Sequence, residues 1–429
     1  MKLLVCLAVP LAVALAQGSW EARLEAARTA RERGRFDNAR KLLEAAVTEA
    51  DSFPAEDPRL AASLAQLADL LRMQGKPDEA APLYRRLLAL REKQLGLEDP
   101  GLAPILTQLA WSLMRANPIE TESLLRRALV LREKEAAGNP LDSGLLEPVR
   151  NLAIFCQAVG QFKDAETLFQ RALLVREKAA GPAHPDLVPD LNRLATIYSA
   201  QKKLGEAEYM YTRSLGIAEA ALGQEHPLVT ATLDGLAALY REQKRFSDAE
   251  PLMRRAVVNR ENSLGPSHPE VASALDGLAW VLFAQKKFAD AEALYQRSLA
   301  IWETVLGPQH PSVATSLDNL AVLYATQEKL EDAEPLYRRA LAIREKETIA
   351  SLNNLALVQA ARETDTEADR LYSLALTLGE KGVGVENSAL VATLVNYSAL
   401  LRRMQRPAEA AKLEARIQAI KGKGKAPKD

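Results

Sequence analysis

Four histidines are the residues whose type and spacing most readily suggest chemistry in this 429-residue chain. Each is followed by proline and lies 42 residues from the next, at positions His184, His226, His268 and His310. Imidazole nitrogens are common metal ligands, so histidines at a regular interval raise the question of a metal site.

A structural interpretation competes with the metal hypothesis. In the earlier part of the chain the corresponding position holds an aspartate, at Asp57, Asp99 and Asp142. An aspartate just before a helix typically caps its N-terminus. Helices pack about 8–10 Å apart, so histidines in successive helix pairs cannot share an ion whose ligands lie at about 2 Å. We therefore expect capping or loop-packing residues, and neither a metal nor a cofactor.

The rest of the composition offers little for catalysis. The two cysteines are Cys6, near the start, and Cys156, at a position where other repeats have a core tyrosine, which predicts a buried thiol. We find no Ser/His/Asp arrangement and no glycine-rich phosphate loop. Lys and Arg number 55 against 56 Asp and Glu, so no basic field points to nucleic acid. These features predict a protein that is not an enzyme.

The dominant feature is an internal repeat of about 42 residues. Leu-Ala pairs recur with that spacing, beginning at Leu67, Leu109, Leu152, Leu194, Leu236, Leu278 and Leu320. In the unit that starts at Pro311, apolar residues follow two helical stripes, separated by the polar turn at residues 327–329. The small residues Ala321 and Ala333 would let paired helices approach closely, with Tyr324 and Tyr337 filling the space beside them. Gly181, Gly223, Gly265 and Gly307 predict left-handed C-caps, and the prolines after histidine predict first helical positions.

The motif Leu317-x-x-Leu320-Ala321-x-x-Tyr324, followed by Ala333-x-x-x-Tyr337, resembles the tetratricopeptide repeat. The 42-residue period and the run Leu-Gly-Pro-x-His-Pro are similar to the variant found in kinesin light chains and their bacterial relatives. The resemblance implies an all-α, right-handed superhelical solenoid of about ten helix pairs over residues 17–420. The expected pairs begin near residues 19, 58, 101, 143, 185, 227, 269, 311, 348 and 387. About seven residues, including the inter-repeat loop, are missing between Lys346 and Leu355. We interpret the recurring Arg-Glu-Lys runs as solvated helix ends.

The two ends of the chain carry separate expectations. Residues 1–16 combine Lys2, a short apolar stretch and Ala14-Leu15-Ala16, the pattern of a cleavable signal peptide. This predicts an exported protein, periplasmic or secreted, with no transmembrane segment in the mature chain. Residues 421–429 are rich in Lys, Gly and Pro, and predict a basic, disordered tail.

The resemblance also implies a binding surface, because the first helices of tetratricopeptide pairs line a concave groove. The groove residues expected from the repeat register are Asn151, Asn319, Asn354, Asn396, Asn192, Asp234, Asp276, Asp318, Trp111, Trp280 and Phe283. Asparagines would clamp a peptide backbone, aspartates would favour a basic ligand, and aromatic side chains would anchor it. The alternative for Trp280 and Phe283 is packing on a neighbouring helix, and for the aspartates simple hydration.

The resulting function is a non-enzymatic protein–protein interaction module that binds a peptide or protein partner. The alternative is a self-associating structural component of a cell-envelope assembly.

Overall fold

The structure is a computed structural model of the chain. It describes residues 20–54, 57–361, 364–383 and 390–423. Side chains at 345–347, 350, 351, 354, 358, 361, 382, 383, 422 and 423 lie outside this description. Within the described residues the chain is helical and contains no strand, as the apolar periodicity predicts. The expected signal peptide, residues 1–16 with Cys6, lies outside the described residues, as do positions 424–429 of the expected tail. No helix among the described residues has the length and apolar character needed to cross a membrane.

Nineteen α-helices follow one another through the described residues. The first ten are α1 (20–32), α2 (Phe36–Ala50), α3 (Pro58–Met73), α4 (Pro77–Leu95), α5 (Ala103–Leu113), α6 (Pro118–Glu135), α7 (Leu146–Ala158), α8 (Phe162–Ala180), α9 (Leu187–Ala200) and α10 (Leu204–Leu222). The others are α11 (Pro227–Glu242), α12 (Phe246–Leu264), α13 (Pro269–Ala284), α14 (Phe288–Leu306), α15 (Pro311–Thr326), α16 (Leu330–Ala361), α17 (Asp365–Val383), α18 (Val391–Arg403) and α19 (Pro407–Lys423). Single 3₁₀ turns, Pro100–Leu102 and Ser143–Leu145, precede α5 and α7.

The helices form two compact units, one ending at Leu222 and one beginning at Gly223. Within each unit, consecutive helices pack side by side across short connections, so neighbours run in opposite directions. The close contacts depend on alanine, as expected: Ala279, Ala291 and Ala321 are completely buried. An aromatic side chain fills the adjoining space in most pairs, for example Tyr295. Tyr337, expected in the same role, is instead exposed, because no following first helix covers its part of α16.

Three of the four histidines before proline are helix caps. Nδ1 of His226, His268 and His310 accepts a hydrogen bond from the backbone N–H two residues later, at 3.1 to 3.2 Å. The aspartates at the equivalent position accept the same bond at 2.7 to 2.9 Å, as at Asp57 and Asp99. The following prolines occupy the first turn of α11, α13 and α15, where their missing N–H costs nothing.

The glycines at the ends of the second helices do have positive φ, but they are not left-handed helical. Gly265 and Gly307 have φ of 88° and 86° with ψ of 153° and 156°. That region is essentially restricted to glycine, so these positions require it for backbone reasons alone.

The glutamates of three Arg-Glu-Lys runs do more than end a helix in solvent. Each of these three forms an ion pair, at 2.5 to 2.6 Å, with an arginine on the second helix of the next pair. The pairs are Glu92–Arg127, Glu133–Arg171 and Glu177–Arg213, and the equivalent glutamates outside those runs give Glu261–Arg297 and Glu303–Arg339. One partly exposed pair contributes at most about 1 kcal/mol, but the repeated series fixes the stacking register of successive second helices.

A second polar contact links two of the second helices, α8 and α12, to the turn of the next pair. The Glu250 carboxylate, on α12, accepts hydrogen bonds from Lys287 at 2.6 Å and from Gln285 at 2.9 Å. Burial alone would raise the pKa of Glu250, but hydrogen bonds from Lys287, Arg254 and Gln285 outweigh it and lower that pKa to about 2. Glu166 and Lys203 repeat the arrangement in the first unit. These carboxylates therefore remain ionised, and the contact intact, well below neutral pH.

Helix α16 departs from the expected pattern. A new helix pair was expected to start near residue 348, yet α16 runs unbroken for 32 residues, from Leu330 to Ala361. The loop of the other repeats, with its helix-terminating glycine and proline, is missing here. Without those residues the second helix of one pair continues directly into the first helix of the next. Its ends pack against α15 and α17.

Cys156 is a core residue, as its position predicts. Its side chain is fully buried and forms no disulfide. Burial raises the pKa of the thiol to about 11, so the reactive thiolate is scarce at neutral pH.

Candidate functional site

Two clefts lie between successive first helices, one in each unit, at equivalent places in the repeat. In the second unit, an open cleft between α11 and α13 is lined by Asp234, Ala238, Arg241, Ser273 and Gly277, among others. In the first unit, a cleft between α5 and α7 is lined by Thr107, Gln108, Glu147 and Asn151, among others. Thr107 and Asp234 both lie two residues before the Leu of a Leu-Ala pair, and Asn151 and Gly277 lie one residue before it. The first helices thus present the same positions to each cleft.

The expected clamp asparagines differ in their surroundings. Asn151 lines the α5–α7 cleft, and Asn319 lies half-buried on α15. Neither side-chain amide hydrogen-bonds to another described residue. Asn396 is already engaged: its Nδ2 donates to Oδ1 of Asn353 at 2.9 Å. The side chain of Asn354 lies outside the described residues.

The expected acidic row already has partners within the chain. Asp234 forms an ion pair with Arg260, and Asp318 forms one with Arg344. Asp276 accepts a hydrogen bond from Nε1 of Trp302 at 3.2 Å, and burial raises the pKa of its carboxyl group. Both arginines come from the second helix of the same pair, so the charges of Asp234 and Asp318 are balanced within their own repeats. Asn192, at the equivalent position on α9, is half-buried.

The aromatic residues combine both interpretations offered for them. The Trp280 ring meets Phe246 edge to face, with centroids 5.5 Å apart, and the Arg241 guanidinium lies 4.8 Å from its centroid. Trp280 nevertheless remains 40% exposed. Phe283 packs against Phe288, with centroids 5.9 Å apart. In the first unit, Trp111 lines a depression that is separate from the α5–α7 cleft.

Trp111 shares that depression with two exposed arginines, Arg72 and Arg115. In the second unit an exposed indole therefore lies close to a guanidinium, whereas in the first unit the half-buried Trp111 lines a depression together with two arginines. This pairing can bind an apolar or aromatic side chain while the cation orients a carbonyl or carboxylate.

Sequence reasoning missed two groups of buried polar atoms, one lining the clefts and one on α9. Buried polar atoms at Arg241 (Nε) and Gln108 (Oε1) find no hydrogen-bond partner among the described residues, and both residues line a cleft. Asp190, on α9, is fully buried between two arginines: Arg150 donates to it at 2.8 Å, and Nε of Arg176 lies 3.5 Å away. Arg150 lies two residues before Leu152, at a position where later repeats carry aspartate. This reversal of charge is the sequence feature that could have pointed to the buried Asp190.

Among the described residues, no group of three or more His, Cys, Asp or Glu side chains lies close enough together to hold a metal ion. His226, His268 and His310 cap helices, each at the start of a different helix.

Comparison with protein families decides the class of the molecule. A model of the tetratricopeptide repeat matches residues 21–93, 59–134, 145–220, 191–262, 228–303 and 281–346. The chain belongs to the tetratricopeptide repeat family. The helix pairs of this tetratricopeptide repeat protein are therefore its repeats. A comparison with curated proteins found no match.

Solved structures with a similar fold include other tetratricopeptide repeat proteins. BtubC (BKLC) from P. vanneervenii is 23% identical, with a TM-score of 0.45, over 52% of this chain and 89% of that chain. A kinesin light chain with nearly identical TPR-like repeats, from Podospora anserina, is 25% identical, with a TM-score of 0.44, over 49% of this chain and 98% of that chain. A tetratricopeptide repeat protein from Parabacteroides merdae is 16% identical, with a TM-score of 0.47, over 71% of this chain and 99% of that chain.

Proposed function

We propose that this tetratricopeptide repeat protein is a non-enzymatic binding module for a peptide or an extended protein segment. The observation that carries the proposal is the recurrence of one open cleft, between α5 and α7 and between α11 and α13, lined at the same repeat positions. An extended backbone presents N–H and C=O groups at regular intervals. Within either unit, a cleft between two first helices can therefore bond such a ligand through its backbone.

The asparagines on the first helices support this mode of binding. An asparagine side chain both donates and accepts, so Asn151 or Asn319 can bond a peptide N–H and C=O without regard to the ligand's sequence. Selectivity would come from Trp280 with Arg241, and in the first unit from Trp111. Large aromatic side chains and arginine dominate the energetics of many interfaces. Since Arg260 and Arg344 neutralise Asp234 and Asp318, a strongly basic ligand is not required.

Peptides selected from a random display library would test the proposal. We expect the substitution Trp280→Ala, or Trp111→Ala for peptides bound to the first unit, to weaken affinity about tenfold or more, about 1.4 kcal/mol. Asn319→Ala or Asn151→Ala should weaken binding in the corresponding unit, measured by isothermal titration calorimetry.

The matched control is Tyr209→Ala, which removes an exposed aromatic residue from α10 at a position outside both clefts. Its affinity should equal that of the unmodified protein. Selected peptides that bind all four asparagine and tryptophan variants as tightly as the unmodified protein would contradict this assignment of binding residues.

We also propose that the protein is exported, on the pattern of Lys2, the apolar stretch and Ala14-Leu15-Ala16. The expected result is a chain beginning at Gln17 in the periplasmic or extracellular fraction, identified by mass spectrometry of its N-terminus. A Leu4→Arg/Leu7→Arg variant, with its apolar stretch interrupted, should stay uncleaved in the cytosol. Unprocessed wild-type chain in the cytosol would refute export.

A further inference from the structure

The first half of helix α16 carries an uncovered apolar face. Leu330, Tyr337 and Leu341 are 66%, 40% and 54% exposed, and they line one cleft together with Ala325 and Ala333. Such an exposed cluster is unusual for a monomeric soluble protein, in which large apolar side chains on the surface tend to be scattered.

In the other repeats this face is covered by the first helix of the next pair. The residues that correspond to Tyr337 include Phe169 and Tyr295, which are at most 2% exposed. Those that correspond to Leu341 include Leu173 and Val257, each 6% exposed. Tyr295 belongs to one hydrophobic cluster with Leu320 and Leu323 of the following helix, α15. The face on α16 is therefore the standard stacking surface of a repeat, without its next helix.

The second half of α16 also carries an uncovered apolar face, which corresponds to the opposite side of the same stacking contact. Leu355 begins a Leu-Ala pair, so it corresponds to Leu278 and Leu320, which are 2% and 4% exposed because they pack on the preceding second helix. Leu355 is 47% exposed. The second half of α16 thus presents the face of a first helix that has no preceding second helix against it.

The two faces cannot meet within one molecule. In the other repeats a loop reverses the chain between them, but α16 is continuous through this point. A helix rises about 1.5 Å per residue, so Tyr337 and Leu355, 18 residues apart on one rod, are separated by about 27 Å. Each half therefore needs its counterpart from another molecule.

We propose that the protein dimerises through α16, with the first half of one helix packed antiparallel against the second half of the same helix in a second copy. Successive helices of the array run antiparallel, and two α16 helices related by a two-fold axis do the same. Each copy then supplies the face that the other lacks, and the contact forms twice. Exchange of an equivalent element between copies is a common route to symmetric dimers. The interface continues the one that already stacks every other repeat.

Analytical ultracentrifugation of the full chain, from low micromolar to submillimolar concentration, tests this proposal. We expect a dimer that is weakened at least tenfold by Leu341→Glu and, independently, by Leu355→Glu. Both side chains are exposed within a single copy, so the fold should tolerate the changes, which circular dichroism would verify. Leu174→Glu, at an equally exposed leucine on α8, should leave the dimer unchanged.

Mixing the two variants distinguishes reciprocal pairing from general loss of association. A Leu341→Glu chain with a Leu355→Glu chain retains one of the two contacts intact, so the mixture should form more dimer than either variant alone. A single monomeric species of the unmodified chain at every concentration would overturn the proposal. So would a dimer that neither substitution weakens. Both outcomes are independent of peptide binding in the clefts.

Discussion

Replacing Asp190 with alanine is expected to lower the free energy of unfolding of the first unit by about 3–5 kcal/mol. Asp190 is fully buried, and its carboxylate forms ion pairs with Arg150 and Arg176. Both guanidinium groups are largely buried themselves. Without the carboxylate they would lose their central counter-charge in a place where water cannot replace it. Urea denaturation followed by circular dichroism gives the change, and hydrogen exchange locates it to α7–α9.

The control for this substitution is Asp186→Ala. Asp186 also bonds Arg176, at 3.0 Å, but its side chain is exposed, so the expected loss is at most about 1 kcal/mol. Equal effects of the two substitutions would show that burial of Asp190 does not matter, contrary to our expectation.

A neighbouring repeat suggests how the loss could be recovered. At the positions of Arg150, Arg176 and Asp190 the next repeat carries Asn192, Ala218 and Thr232. We expect the triple variant Arg150→Asn/Arg176→Ala/Asp190→Thr to be considerably more stable than Asp190→Ala alone. Replacing a buried ionic cluster as a whole avoids leaving an uncompensated charge.

Replacing Phe169 with alanine is expected to cost about 3–5 kcal/mol in the same unit. Phe169 lies on α8, fully buried, at the aromatic position that Tyr84 and Tyr295 occupy in other repeats. The close approach of helices around small residues such as Ala165 leaves little freedom for the backbone to collapse into the space. The penalty therefore includes both lost burial and a residual cavity.

Leu174→Ala, five residues along the same helix, provides the comparison for Phe169→Ala. Leu174 is exposed, so its truncation should change the unfolding free energy by less than about 0.5 kcal/mol. If Phe169→Ala unfolded at nearly the same urea concentration as this control, the aromatic position would not be a stacking residue of the array.

The helix pairs and their caps were predictable from the sequence because the physical signals are local. The stripe of Leu317, Leu320, Ala321 and Tyr324 reports one buried helix face, whatever lies beyond it. A capping side chain such as His268 reaches a backbone N–H only two residues away. The candidate clefts were partly predictable as well, since Asn151 and Asp234 line them at the repeat positions expected.

What the tertiary structure alone decided is which residues are paired and which are left uncovered. Asp234 meets Arg260, 26 residues away, and Asp190 meets Arg150, 40 residues away. The Leu-Ala motif at Leu355 is locally the same as that at Leu320, yet one leucine is exposed and the other buried. The difference arises because burial in a repeat array depends on the adjacent repeat. About seven residues are missing before Leu355, so α16 continues without a break and that adjacent helix is absent. The local Leu-Ala pattern at Leu355 does not reveal this.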